Sequence, residues 1–508
     1  MAARVLVIGL DAFEKDLLLT WAADGSLPTL AELLRRGTSG VVEGPAGIYG
    51  GTVWPSFNTG VSPARHRRFF RRQAPRGEYI DIEFKPDQMA VRSFWEVLSA
   101  AGRSVAIIDA PHATLSTSLN GVQLVDYASH EPDFEQALSY PPEFGRNVCS
   151  QFGHEPPDLC EETVHTAQGY RDLQAHLETR IRNTAAVTRY LLQSRDWDFL
   201  FTTLSEAHCA GHQWWHLHDP SHPRHDTKMA AEVGDLLKNL YITIDKAVGE
   251  ILADVDSATQ VIVVSGHGMG QLQAESLVLD EVLRRIEAPT GSGTNTLFSR
   301  LKQLWYRLPV SVRNSPVLDH IKSRLLPSLH QSLLIPERRA RRFFAIPHNP
   351  HAGAIRINLA GRERHGIVQP GREYRELCDE LRREMLALRC GVIGPPAVAE
   401  VIFSADEHPG PYSDELPDVL VQWNRNGPVA TLTSERIGTV VIPAIGGRTG
   451  DHTREGLFIA TGPGLAAQRL ERTTAIVDFA PTIARHLDVE SDEFDGVPIA
   501  ELVVTPTR

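Results

Sequence analysis

The chain has 508 residues, 42% hydrophobic and 22% charged, with a formal net charge of −12. Length and composition suit a globular protein of about two or three structural units with ample core. The acidic balance argues against nucleic acid as a general partner, although a local basic pocket can still hold one phosphate.

The opening apolar run, Val5 to Leu10, is too short for a signal sequence with a cleavage site, and Asp11 ends it. No window approaches the ~20 apolar residues of a membrane span. Five cysteines (Cys149, Cys160, Cys209, Cys378, Cys390) form no CxxC pair, which suggests neither a zinc ribbon nor a disulfide scaffold and fits a reducing compartment. The expectation is a cytoplasmic protein with no membrane partner. Its oligomeric state is left open.

Val5 to Leu10 reads as a strand buried on both faces, as in parallel sheets. Pro28 to Arg36 reads as the helix that follows. The alternation recurs: a helix over Ser93 to Ala101 precedes a strand over Ser104 to Ile108. Ile181 to Leu192 precedes Trp197 to Thr203, and Ile242 to Val255 precedes Gln260 to Ser265. Helices alternating with short apolar strands predict an α/β fold, a doubly wound, mostly parallel sheet flanked by helices. A Leu-, Arg- and Lys-rich stretch then reads as a helical insertion over 286–344, a cap over the site or a packing appendage, which leaves 1–285 and 345–508 as the core. Ala354 to Leu359 and Val419 to Trp423 return to strand character.

In such sheets ligands bind beyond the carboxyl ends of the strands. Asp11, the Ser205–His212 segment and His267 all follow predicted strands, so three strand ends deliver polar groups to one rim. Asp11 is a hard oxygen ligand there, or a plain helix cap. His208 and His212, four apart on a helix, share a face and can reach one ion. His216, His218, His222 and His225 follow closely, and a dense histidine run can also be solvated surface. Gly266-His267-Gly268 is a glycine turn that would leave His267 projecting from a strand end. His452, preceded by Asp451, stands before the strand Leu457 to Thr461 and reads as a ligand or as a turn residue.

Together these segments resemble the alkaline phosphatase superfamily, in its type I phosphodiesterase/nucleotide pyrophosphatase and phosphomutase-like branch. Val7 to Asp11 resembles the opening strand with its metal aspartate. Leu27-Pro28-Thr29-Leu30 and Trp54 to Gly60, with Pro63 and His66, resemble the segment around the nucleophile. His208-x-x-Gly211-His212 resembles an Asp-x-x-Gly-His ligand pair, and Ser265 to Met269 a Ser-Asp-His-Gly-Met motif. Gly450-x-His452 with Glu455-Gly456 resembles the last ligand histidine, and Val477 to Ile483 with Asp495-Gly496 the closing helix and turn. The resemblance covers most of the chain, in order.

It implies phosphoryl chemistry at two divalent ions, with a Thr or Ser attacking phosphorus. Two carboxylate positions depart from the pattern: Gly266 and His208 stand where the family has Asp. The ligand set becomes His208, His212 and His452 around one ion, zinc before manganese, with Asp11 and His267 a weakened partner site. Gly50 occupies the usual nucleophile position. Thr52 is the candidate catalytic hydroxyl, Tyr49 the spare, and attack by hydroxide the alternative. The expected function is a metal-dependent phosphoester hydrolase, of the phosphodiesterase type, acting on a small anionic substrate. The alternatives are a catalytically degenerate binding module and a phosphoryl or sulfuryl transferase.

Overall fold

The structure, a computed structural model, describes residues 4–129, 134, 136–154, 166–288, 334–427, 429–443 and 447–503. Its centre is a ten-stranded sheet. At its middle Arg4–Leu10 pairs in parallel with Phe199–Leu204 on one side and Thr259–Ser265 on the other. Val105–Ile108 and Gly121–Val125 extend it in parallel, and Leu138–Tyr140 closes that edge antiparallel. On the other side Glu455–Thr461 enters antiparallel and is followed by Thr38–Glu43.

The continuous apolar runs follow from double-sided burial. Leu6, Ile8 and Leu10 point into one hydrophobic cluster with Ile181, Leu240 and Ile244. Val5 and Val7 point into the opposite cluster with Phe57, Trp95 and Phe479. Successive side chains of a strand alternate faces, so a strand covered by helices on both faces must be apolar throughout. The helix Pro28–Arg36 has the predicted bounds. Phe94–Ala100 starts at a capping box between Ser93 and Glu96.

Phe343–Ile346, Ala352–Ile357, Val419–Trp423 and Val398–Phe403 do not join this sheet. They form a separate antiparallel sheet packed on the helices Leu279–Glu287 and Arg372–Leu386 through its own core. The expected division into 1–285 and 345–508 therefore does not isolate this unit. Apolar alternation marks a strand but does not name its partner. Of the expected cap at 286–344, residues 289–333 lie outside the described residues, and 334–340 are helical.

Among the described residues no helix is long and apolar enough to cross a membrane. Cys209 is disulfide-bonded, contrary to the expectation of a cysteine set without disulfides, while Cys149, Cys378 and Cys390 are free. Sequence spacing alone cannot reveal a pairing made in space.

Candidate metal centre and its cavity

The rim of the central sheet is set by register. Leu10 lies opposite Leu204, and Gly9 opposite Val264. Asp11, the helix Glu206–His218 and His267 therefore emerge at one level. His452 arrives from a distant part of the chain on a two-stranded ribbon, Gly268–Gln271 against Gly450–Thr453, with Met269 opposite His452. Glu14 pins the ribbon: its Oε2 accepts from the Met269 amide at 2.9 Å and from Thr453 Oγ1 at 3.0 Å. Burial raises the pKa of this carboxyl. Helix and ribbon approach so closely that a Cβ at Gly211 would lie 2.4 Å from Met269 Cγ.

His208 and His212 share a helix face, their ring centroids 4.7 Å apart, and His452 lies 4.7 and 5.0 Å from them. All three are buried. His208 Nδ1 is 2.7 Å from Asp11 Oδ2, and His212 Nδ1 is 2.7 Å from the Gly450 carbonyl oxygen. Acceptors at these positions place the proton on Nδ1 and make each Nε2 the lone-pair atom that faces the cluster. His208 Nε2 is 3.0 Å from His452 Nε2. Burial, and then the neighbouring imidazoles, hold His452 well below the ordinary histidine range. Three imidazoles with ligand atoms within 4.8 Å of one another are a donor set that fits a divalent ion of the zinc type.

Asp11 stands behind this trio. Its Oδ1 accepts from Trp54 Nε1 at 2.7 Å, its Oδ2 faces His208, and His267 Nε2 is 3.6 Å from Oδ1. Burial pushes His267 down to about 4. At Gly266 an added Cβ would lie 2.6 Å from Val53 Cγ2 and 3.4 Å from Ile476 Cδ1. The surroundings of that position are apolar, and a carboxylate has no room there. Asp11 and His267 are thus brought together without the third ligand expected of a second site.

A cavity of about 330 Å3 opens over Asp11, His208, His267 and His452, and its other walls include Gly50, Arg68, His112, Asn349 and Arg448. Arg68 Nη2 donates to His112 Nδ1 at 2.9 Å, and Arg448 Nη1 is 3.3 Å from His212 Nε2. The five arginines between Arg65 and Arg72 therefore divide. Arg68, Arg71 and Arg72 line the cavity, whereas Arg65 and Arg67 pair with Asp495 and Glu415 outside it.

No hydroxyl from the expected nucleophile segment lines this wall. Thr52 is fully buried, its Oγ1 donates to the Ile48 carbonyl at 2.6 Å, and Gly50 and Gly51 face the cavity instead. A Cβ at Gly50 would lie 1.9 Å from Asn349 Nδ2, so the asparagine amide fills the space a side chain there would need. Tyr49, the spare, stacks on His351 with centroids 4.1 Å apart.

Other polar and aromatic residues of the helix Glu206–His218 and the segment after it are engaged in packing. Trp214 and Trp215 belong to the main core. Glu206 is buried against Arg180 at 3.5 Å. His216 and His222 surround Thr449, and His218 faces Asp235. Arg448 and His112 escaped the sequence reading because they sit in loops, where no periodicity marks a side chain as inward-facing.

The sequence profile of the family "type I phosphodiesterase / nucleotide pyrophosphatase" matches residues 5–426. None of the curated proteins matches. Among solved structures, phosphonoacetate hydrolase from Sinorhizobium meliloti 1021, in complex with phosphonoformate, is similar at a TM-score of 0.52 and 15% identity, over 95% of this chain and 96% of that one. A variant of the alkaline phosphatase PafA gives 0.51 and 13%, over 99% and 100%. Human ectonucleotide pyrophosphatase/phosphodiesterase 5 gives 0.48 and 11%, over 97% of each chain. The sheet, the rim and the profile agree: the chain belongs to the type I phosphodiesterase/nucleotide pyrophosphatase family, a family of phosphoester-cleaving enzymes.

Proposed function

We propose that this protein is a metal-dependent hydrolase of phosphoesters, of the phosphodiesterase type, acting on a small anionic substrate. The observation that carries the reading is the convergence of His208, His212 and His452 beneath a cavity whose walls include Arg68 and Arg448. A divalent ion held by the three imidazoles, zinc before manganese, would supply Lewis-acid stabilisation of a phosphoryl oxygen and acidify water.

The remaining work falls to the chain itself. Asp11 and the Gly450 carbonyl fix the tautomers of His208 and His212. The guanidinium groups of Arg68 and Arg448 offset the substrate's negative charge and orient its oxygens. Asn349 Nδ2, buried and without a hydrogen-bond partner, is a donor placed to meet an oxygen that gains charge in the transition state. With Thr52 turned into its own helix, we assign the attack to water. The new bond joins phosphorus to the water oxygen, the ester P–O bond breaks, and the proton leaves with the released alcohol.

The test is hydrolysis of an aryl phosphodiester by the full chain with added zinc or manganese, beside the corresponding monoester and sulfate. Activity that a chelator removes, and that His212→Ala abolishes, is the expected outcome. A metal-free protein inert towards all three substrates would overturn it. That result would favour a binding protein, the reading to which the crowded Gly50 and Gly266 positions point.

A further inference from the structure

A second group of buried ligands lies beside the first. His351, next to the strand Ala352–Ile357 of the smaller sheet, meets Asp451 and His452 of the ribbon, and the three offer ligand atoms within 4.8 Å of one another. Their exposures are 4%, 2% and 5%. His351 Nδ1 is 3.8 Å from Asp451 Oδ2, too long for a hydrogen bond but suitable for two ligands of one ion. Both ring nitrogens of His351, Asp451 Oδ2 and His452 Nδ1 have no hydrogen-bond partner. Buried polar atoms are seldom left unpaired in a native protein, and several converging on one point imply a missing partner. The Tyr49 ring, stacked on His351, holds that imidazole in its orientation.

We propose that His351, Asp451 and His452 form a second divalent-cation site. Two imidazoles and one carboxylate suit zinc or manganese better than calcium, which prefers an all-oxygen shell. The site shares His452 with the first and can draw on the other nitrogen of its ring. His452 Nε2 faces His208, while the unpartnered Nδ1 on the other edge of the ring serves the second ion. A cation here ties the smaller sheet to the rim of the larger one.

The experiment counts metal in the full chain without substrate, so a failure to hydrolyse phosphoesters bears on the proposed function and not on this site. After equilibration with zinc and removal of excess, elemental analysis should find about two ions per chain, with two phases in a calorimetric titration. Asp451→Asn, which is isosteric, and His351→Gln should each weaken one phase by about tenfold or more and leave the other unchanged. His212→Ala should remove the opposite phase. Zinc should also raise the Tm less in Asp451→Asn than in the unmodified protein. One ion per chain in the unmodified protein overturns the proposal. So do two ions that persist in both variants with an unchanged Tm rise.

Discussion

His212 and Asp11 sit within one cluster, yet their substitutions should differ in degree. His212 offers a lone pair to the centre, its other nitrogen being engaged by the Gly450 carbonyl. Asp11 acts on the centre through His208, with both oxygens already facing donors. His212→Ala should abolish phosphodiester cleavage, whereas Asp11→Asn should keep the donor set and lose about 10–100-fold in zinc affinity or activity. Parallel metal titrations and initial rates separate the two; equal losses would mean that Asp11 touches the ion directly. Thr52 makes the contrasting case. Its hydroxyl is committed to the Ile48 carbonyl, so Thr52→Val should retain most of the turnover and cost about 0.5–1.5 kcal/mol of stability, the value of one lost hydrogen bond. Loss of turnover in a folded Thr52→Val protein would reinstate that hydroxyl as nucleophile.

At the scale of elements, the smaller sheet depends on a buried ion network. Asp418 accepts from Arg362 Nη1 and Nη2 at 2.7 Å each, from the Ile357 amide at 2.6 Å and from Tyr374 at 2.9 Å. The Arg362 guanidinium holds the Asp418 carboxyl below its usual range against the opposing effect of burial. Asp418→Ala takes the bidentate partner from a buried Arg362 and leaves it only the Glu363 carboxylate, at 2.9 Å from its Nε, so urea denaturation should show a loss of about 3–5 kcal/mol. Elements of this kind were only partly legible in the sequence. The core strands announced themselves because burial on both faces forces continuous apolar runs, and Asp11, His208, His212 and His267 punctuate those runs. The ribbon that carries His452 did not. Its strands are four residues long, contain three glycines, and pair across some 180 positions, so neither propensity nor periodicity marks them. Gly266 was visible as a departure, but only the packing of Val53 and Ile476 around it explains why a carboxylate is absent there.

For the whole molecule, buried titratable groups set the response to acid. Burial pushes His66 down to about 3, and His216 and His267 to about 4. Each is neutral in the folded protein and takes up a proton on unfolding at mildly acid pH. Their contribution to stability is therefore complete above the unfolded value of about 6.5 and is lost as pH falls towards 3–4. Asp109 and Glu275, raised by burial to about 7, act in the opposite sense: their contribution is complete below about 4 and is lost as pH rises through 7. Between about 4.5 and 6.5 the two groups partly cancel, and the histidines exceed the carboxylates, so metal-free protein should lose stability on acidification. His66 isolates the effect, being part of neither candidate ligand set. Its Nδ1 accepts from the Arg68 amide at 3.2 Å, and its Nε2 is 3.0 Å from Ser56 Oγ. That tautomer leaves Ser56 as acceptor, which rules out an activated serine. Urea denaturation of the unmodified protein and His66→Gln from pH 7.5 to 4.5 should show the stability difference shrinking by roughly 1.4 kcal/mol per pH unit below about 6.5. A difference that stays constant across that range would mean that His66 titrates in the folded protein at its unfolded value, so that burial does not hold it neutral.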